Sequence, residues 1–498
     1  MRGKKLAKNT ISSLLFQVTT IVCGFILPRF ILQKYGSAVN GLVNSITQFL
    51  MMISFLEFGI GAVVQSSLYK PLAEEDRKTT SQIMVSASRF FGKIAAILTV
   101  YVIVLIVAYP FLVAKDFSRV YTATLILAIS ISFFAQYYFG VVDRLLLTAD
   151  QKGYIQFNAQ TITLIVNTVV CVILILMDVP IQVLKLTTSL IYLARPIYLR
   201  LYVNKHYQIN RKETYDTEPI RQKWNGLAQH VAAVVLDWTD NIVLTLFDTL
   251  VSVSIYSVYF LVVNSVKQLF LSMSGGVQAL LGELWAKEEK DALGRLFSQT
   301  EWIINTGVTF VFGSMYLLIV PFIRIYTRGV ADANYIQPLF AGLLVLANAM
   351  HCLRLPYSIM ILAVGHYKET QHSYIIAVMI NIILSILMVH QFGLIGVAIG
   401  TLAAMLYQTV WMARYVSKNL IQRSLGKVLR QWTCNAVVVI LMLLYGRFFT
   451  LKRETYPAWI LLAIEVAASV LLTEIAVNLL FYREKCVEII RLLRKQKR

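Results

Sequence analysis

Long apolar runs recur along this chain from about residue 10 to residue 482, separated by short polar or Gly/Pro-marked joints. A helix that crosses a bilayer needs roughly 20 consecutive apolar residues. That template fits fourteen times, over about 10–34, 38–68, 82–113, 120–147, 154–177, 181–204, 224–248, 252–284, 295–324, 335–363, 369–390, 394–417, 428–448 and 457–482. Joints such as Tyr35-Gly36, Asp178 to Pro180 and His390 to Gly393 suit tight turns at a membrane surface. Nothing between the spans is long enough for a large soluble domain.

The two halves of the pattern resemble one another. Val43-Asn44-Ser45-Ile46-Thr47-Gln48 in the second span is echoed by Val263-Asn264-Ser265-Val266-Lys267-Gln268 in the eighth, an offset of 220 (263 minus 43). Ala149 and Asn167 align with Ala363 and Asn381 at an offset of 214. A duplicated block of six spans explains these matches, and an even number of spans leaves both copies in the same orientation. The expected fold is an all-α polytopic membrane protein with fourteen transmembrane helices. It has two pseudo-symmetric six-helix lobes around a central cavity, two additional C-terminal helices, and both termini in the cytoplasm. The expected divisions are a first lobe at 1–205, a charged cytoplasmic linker at 206–223, a second lobe at 224–420, and the last two helices with a basic tail at 421–498.

Polar residues interrupt the greasy pattern on particular faces. The first span carries Ser13, Gln17, Thr20 and Gly24, and the second carries Asn40, Asn44, Thr47, Gln48 and Glu57. The seventh carries His230, Asp237, Asp240 and Asn241, and the eighth Asn264, Lys267, Gln268 and Ser274. These are the opening helices of each repeat, so one polar cavity accounts for all four stripes; ordinary interhelical hydrogen bonding is the competing account. Counted from the hairpin near residue 250, Asp237 and Lys267 differ in depth by about 6 Å, and Asp240 and Lys267 by about 10 Å. Asp237 is therefore the depth-matched partner for Lys267, and Asp240 the less compensated acid. Arg29, near the outer end of span one, is either an interfacial residue or a bidentate phosphate ligand. Arg195 and Arg354 are weaker candidates, for lipid headgroups or for acids such as Glu301. Asp143-Arg144 is expected to form a local interfacial charge cluster. Glu465 and Glu474 in the last span have no assigned role.

Composition narrows the class further. Of 498 residues, 58% are hydrophobic and only 14% charged, against roughly 25% charged in soluble domains. The net charge of +20 raises nucleic acid as a partner, but the excess Lys and Arg concentrates in segments that the threading places inside. That is a topology signal, so membrane lipids and not nucleic acid are the expected contact. The first apolar run reads as a permanent helix. Five scattered cysteines and six dispersed histidines match no disulfide framework or metal spacing, so no metal or cofactor is expected.

The stretch PRFILQKYGSAVNGLVNSITQFLMMISFLEFGIGAVVQSSL (28–68), and TDNIVLTLFDTLVSVSIYSVYF (239–260) with its Asp240-Asn241-Ile242-Val243-Leu244 and Ile255-Tyr256-Ser257, resemble bacterial polysaccharide-repeat-unit flippases. These belong to the multidrug/oligosaccharidyl-lipid/polysaccharide exporter superfamily. The resemblance covers about the first twelve spans, and the extra pair fits these flippases better than twelve-helix drug exporters. It implies a two-lobed, alternating-access transporter in the bacterial cytoplasmic membrane that carries an undecaprenyl-pyrophosphate-linked oligosaccharide outward. It would work beside a polysaccharide polymerase and glycosyltransferases, for a polymer such as capsule or teichoic acid. On this reading Arg29 and Lys267 bind the head group, with Asp237 tuning Lys267. Asn44, Asn264 and Gln268 line the substrate site. Asp240 and Glu57 line the path or bind a coupling H+ or Na+.

Three other readings compete. A cation-coupled multidrug exporter of this superfamily often carries an acid in helix one, and residues 10–34 contain none. A peptidoglycan-precursor flippase shares the fourteen-helix plan and a cationic cavity. A membrane polysaccharide polymerase would need an extended outer loop, and the two longest external connections, near 325–334 and 449–456, are short. With no nucleophile, metal or phosphate-loop constellation, no enzyme activity is expected.

Overall fold

The computed structural model describes residues 2–52, 55–113, 116–215, 220, 227–272 and 274–485. Packing divides the chain into two compact units, Met1–Ser254 and Ile255–Arg498. The first contains α1 (Arg2–Met51), α2 (Phe55–Ala73), α3 (Arg77–Leu112), α4 (Arg119–Ala135), a π-helical turn (Gln136–Gly140), α5 (Val141–Ala149), α6 (Gly153–Leu176), α7 (Ile181–His206), α8 (Leu227–Phe247) and the start of α9 (Leu250–Ser272). The second contains the rest of α9, then α10 (Ser274–Ala286), α11 (Lys290–Tyr326), α12 (Pro338–Leu353), α13 (Leu355–Val364), α14 (Tyr367–Phe392) and α15 (Leu394–Tyr415). A second π-helical turn (Val416–Leu420), α16 (Gly426–Gly446) and α17 (Tyr456–Phe481) complete it. No strand occurs among the described residues.

Eleven of these helical stretches are long and apolar enough to cross a membrane. The difference from the fourteen read in the sequence has local causes. One stretch, Ala7–Met51, runs through a kink at Gly36, whose φ of 83° suits glycine because it has no Cβ, so it contains two arms. The Tyr35 hydroxyl fastens that kink by donating to the Val179 carbonyl at 2.5 Å. α7 is long enough but carries Lys185, Arg195 and Arg200, and much of α8 has side chains outside the described residues. Outward faces are apolar: Leu176, Leu201, Leu387 and Leu472 are each more than 60% exposed. Such surface is tolerated in lipid and not in water, so the chain is a multi-pass membrane protein.

The sequence placed the helix at 224–248 at the head of the second lobe, whereas α8 packs against α1 and α2 within the first unit. Small side chains permit this. A Cβ on Gly41 would lie 1.7 Å from the Leu250 carbonyl oxygen. Asn40 Nδ2 donates to Ser254 Oγ at 2.7 Å, and the Ser45 and Thr245 hydroxyls lie 2.7 Å apart. Tyr109 completes this cluster by donating to Ser45 Oγ at 2.6 Å.

The repeat-related asparagines occupy like positions. Asn167 on α6 donates to the Tyr192 hydroxyl of α7 at 3.4 Å, and Asn381 on α14 donates to Thr401 Oγ1 of α15 at 3.0 Å. Each bridges its helix to the next. In the second unit, α11 also packs against α16 and α17, around a core of Leu318, Met442, Leu462, Val466 and Val470.

Candidate functional site

A cavity of about 740 Å³ lies inside the first unit, walled by α1, α2, α4 to α8 and the π-helical turn Gln136–Gly140. Three cations line it: Arg144 from α5, and Lys185 and Arg195 from α7. No carboxylate does, among the described residues. Amide side chains supply most of the remaining polarity: Gln65, Gln136, Gln156, Gln160 and Asn167. Gln156 and Gln160 are one helical turn apart on α6, so they share a face. The Gln160 side-chain carbonyl oxygen is buried and accepts no hydrogen bond among the described residues.

Local structure aims these groups. The π-helical turn widens the helix where Gln136 and Tyr137 meet the cavity, a distortion frequent at functional sites. Gly140 lets α7 close on that turn, since a Cβ there would lie 3.0 Å from Pro196 Cβ. Arg195 Nε donates to Thr163 Oγ1 at 2.5 Å, and its guanidinium carbon sits 3.8 Å from the Tyr192 ring centroid. These contacts fix the guanidinium plane, and the neighbouring Asn167 steadies Tyr192 in turn.

The acid next to Arg144 in the chain is engaged elsewhere. Asp143 is fully buried and bonded to Arg211 at 3.0 Å and Arg200 at 3.5 Å. The expected charge cluster thus forms around Asp143, while Arg144 faces the cavity. Neither Arg144 nor Lys185 was singled out as a ligand from the sequence. The available signal was weak, because Arg144 and Lys185 lie within four residues of the ends of their apolar spans, where a cation also suits the interface.

Of the expected site residues, none with a described side chain lines this cavity. Arg29 is half-buried on α1. Asn44, also on α1, donates to the Asn40 carbonyl at 2.8 Å. Asp240 is buried on α8. The side chains of Glu57 and Asp237 lie outside the described residues, and with them the expected Asp237–Lys267 pair. In the second unit, Lys267 is buried, with its ammonium 5.3 Å from the Phe260 ring centroid. Asn264 is half-buried and accepts from the exposed Gln268 at 3.4 Å. Arg354 lies beside His351, at 3.3 Å. Glu301 is bound by Arg423 at 2.5 and 2.6 Å and by the Tyr357 hydroxyl at 2.7 Å. Its partner is therefore Arg423, and not Arg195 or Arg354 as the sequence suggested; the covering segment after α15 brings Arg423 over it.

No protein-family model and no curated protein matches the chain. Solved structures do. The lipid II flippase MurJ in an inward closed conformation superposes with a TM-score of 0.71 at 16% identity, covering 96% of this chain and 99% of that one. An inward-facing multidrug resistance MATE family transporter of the MOP superfamily gives 0.55 at 13% identity, over 80% of this chain and 95% of that one. An outward-facing structure of such a transporter gives 0.54 at 13%, over 83% and 96%. The protein shares the fold of these transporters.

Proposed function

We propose that this protein is a flippase that moves an undecaprenyl-pyrophosphate-linked oligosaccharide, the repeat unit of a cell-surface polysaccharide, across the bacterial plasma membrane by alternating access. The observation that carries this reading is the first-unit cavity, where Arg144, Lys185 and Arg195 meet with no carboxylate among the described lining residues. Moving a pyrophosphate through hydrocarbon without compensation is prohibitively costly. Arginines grip phosphate oxygens bidentately and a lysine adds a point charge, so the three offset that cost. The glutamine face offers donors and acceptors to sugar hydroxyls. The three cations favour an anionic head group over a cationic drug as the occupant.

Arg29 and Lys267 are proposed as further head-group ligands, with Asp237 tuning Lys267, and Asn44, Asn264 and Gln268 as substrate contacts. Asp240 and Glu57 are proposed to line the path or bind a coupling H+ or Na+. Glycosyltransferases would supply the substrate and a polymerase would consume the product. A second reading, a peptidoglycan-precursor flippase, is favoured by the MurJ likeness extending over nearly the whole chain.

One experiment serves both readings. Combined Arg144→Gln, Lys185→Gln and Arg195→Gln should leave the protein in the membrane but cut export about tenfold or more per cation removed, from roughly 1.5–3 kcal/mol for each charged hydrogen bond lost. The lipid-linked intermediate that accumulates identifies the substrate. Normal export by the triple variant would overturn the proposal.

A further inference from the structure

The three cations of the first-unit cavity share its lining but not its depth. α6 and α7 run antiparallel, and side-chain contacts register the two helices against each other. Cys171 Sγ lies 3.3 Å from Thr188 Oγ1, Asn167 Nδ2 reaches the Tyr192 hydroxyl at 3.4 Å, and Arg195 Nε donates to Thr163 Oγ1 at 2.5 Å. Each turn forward on α6 thus meets one turn backward on α7, so depth can be counted along α7. Lys185 and Arg195 are ten residues apart on it (195 minus 185), or about 15 Å at 1.5 Å per residue. Helical side chains lean toward the N-terminus of their helix, so both lean the same way and the offset carries to their charged tips.

Arg144 belongs to the level of Arg195. α5 and α7 run in the same direction, with Gly140 set against Pro196 and Asp143 bonded to Arg200 at 3.5 Å. Arg144 is four residues past Gly140, about 6 Å, and its side chain leans back toward the Pro196 level. Gln160 stands three residues from Thr163 on α6, on the side of Arg144. The cavity therefore carries an arginine pair beside glutamine at one level, and a single lysine with Thr188 about 15 Å away. A diphosphate, two phosphorus centres joined through one oxygen, is much shorter than that gap. It touches one level at a time.

We propose that the cavity contains two successive anion sites: Arg144 with Arg195, which captures the diphosphate, and Lys185, which receives it further along the path. The proposal rests on the flippase reading. Two guanidinium forks can each grip a phosphate bidentately, whereas an ammonium holds it only as a point charge. The arginine site is thus the tighter one, and the lysine site the one that releases. Asn167 and the Tyr192 hydroxyl line the cavity between the two levels and give the head group polar contacts in passage. Lys5, Lys8, Lys152, Lys205 and Arg211 gather where α6 begins and α7 ends, the end nearer the arginine pair. A basic end of this kind faces the cytoplasm, so arginines first and lysine second is the order of outward passage.

The test uses the full-length protein in two assays. Calorimetric titration of inorganic pyrophosphate into lipid nanodiscs reads the separation of the sites. Arg144→Gln and Arg195→Gln should each weaken binding about tenfold and combine non-additively, while the effects of Arg195→Gln and Lys185→Gln should multiply to within about twofold. Transport of a fluorescent undecaprenyl-pyrophosphate oligosaccharide, in proteoliposomes sorted for one orientation, reads the order. With the probe loaded on the arginine side, Arg144→Gln should raise KM about tenfold, and Lys185→Gln should lower kcat about tenfold at unchanged KM. Loading from the other side should exchange the two effects, and Lys185→Arg, which keeps the charge, should restore the rate. Strong coupling between Arg195 and Lys185, no pyrophosphate binding by the wild type, or the same kinetic change for Arg144→Gln and Lys185→Gln from both sides would each overturn the proposal. A wild type that shows the expected titration pattern but does not move the probe would contradict the flippase reading and uphold the two sites.

Discussion

Asp143 and Arg144 are neighbours in the chain and have opposite fates in the fold. Asp143 is buried against Arg200 and Arg211, and Arg144 lines the cavity. Adjacent residues on a helix point about 100° apart, so charge pairs read along the sequence do not predict charge pairs in space. The same limit hid the partner of Glu301. Both side chains of the Glu301–Arg423 pair are less than 10% exposed, so removing one leaves the other buried and uncompensated. Arg423→Met alone should cost about 3–5 kcal/mol and lower the Tm of the purified protein, while Arg423→Met with Glu301→Leu should recover most of that loss. Equal destabilisation by the single and double variants would contradict this. Asp150 makes a pH-dependent contact. Burial pushes its carboxyl up, but hydrogen bonds from Lys152 and Tyr207 and the charges of Lys152 and Lys5 overcome that and hold it below the usual carboxylate range. A depressed carboxyl stabilises the fold above its unfolded value and loses that effect as pH falls through the folded one. Hydrogen exchange near Lys5 should therefore stay slow down to about pH 4 and rise below it.

At the scale of elements, apolar periodicity placed most helices because a bilayer imposes a minimum length. It placed interruptions poorly. The sequence drew span two as one helix over 38–68, whereas α1 ends at Met51 and α2 runs Phe55–Ala73. The π-helical turn at Gln136–Gly140, which shapes the cavity, has no signature beyond a glycine. Close approaches were also hidden, since Gly41 reads as one small residue among many. A Cβ there would meet the Leu250 carbonyl at 1.7 Å. Gly41→Ala should therefore force α1 from the α8–α9 junction, cost about 1–3 kcal/mol by overpacking, and weaken a crosslink between cysteines placed at Asn40 and Ser254. An undiminished crosslink and an unchanged Tm would contradict that packing.

For the whole molecule, the duplicated pattern and the transporter-like fold were legible because both follow from where apolar runs and polar stripes recur. The basic cavity was not, because its three cations come from two helices separated in sequence and carry no shared motif. The expected site was sought in the opening helices of each repeat. The pocket, which has no carboxylate among its described lining residues, is built largely from α4 to α7 of the first unit. The central claim is that this pocket serves an anionic, lipid-linked sugar. Its most direct test is flipping by the reconstituted full-length protein, with a fluorescent undecaprenyl-pyrophosphate oligosaccharide in the inner leaflet of liposomes and its appearance outside followed over time. The account predicts transport by the wild type and a rate near that of protein-free liposomes for the combined Arg144→Gln, Lys185→Gln and Arg195→Gln variant. Equal rates for the two proteins would contradict it.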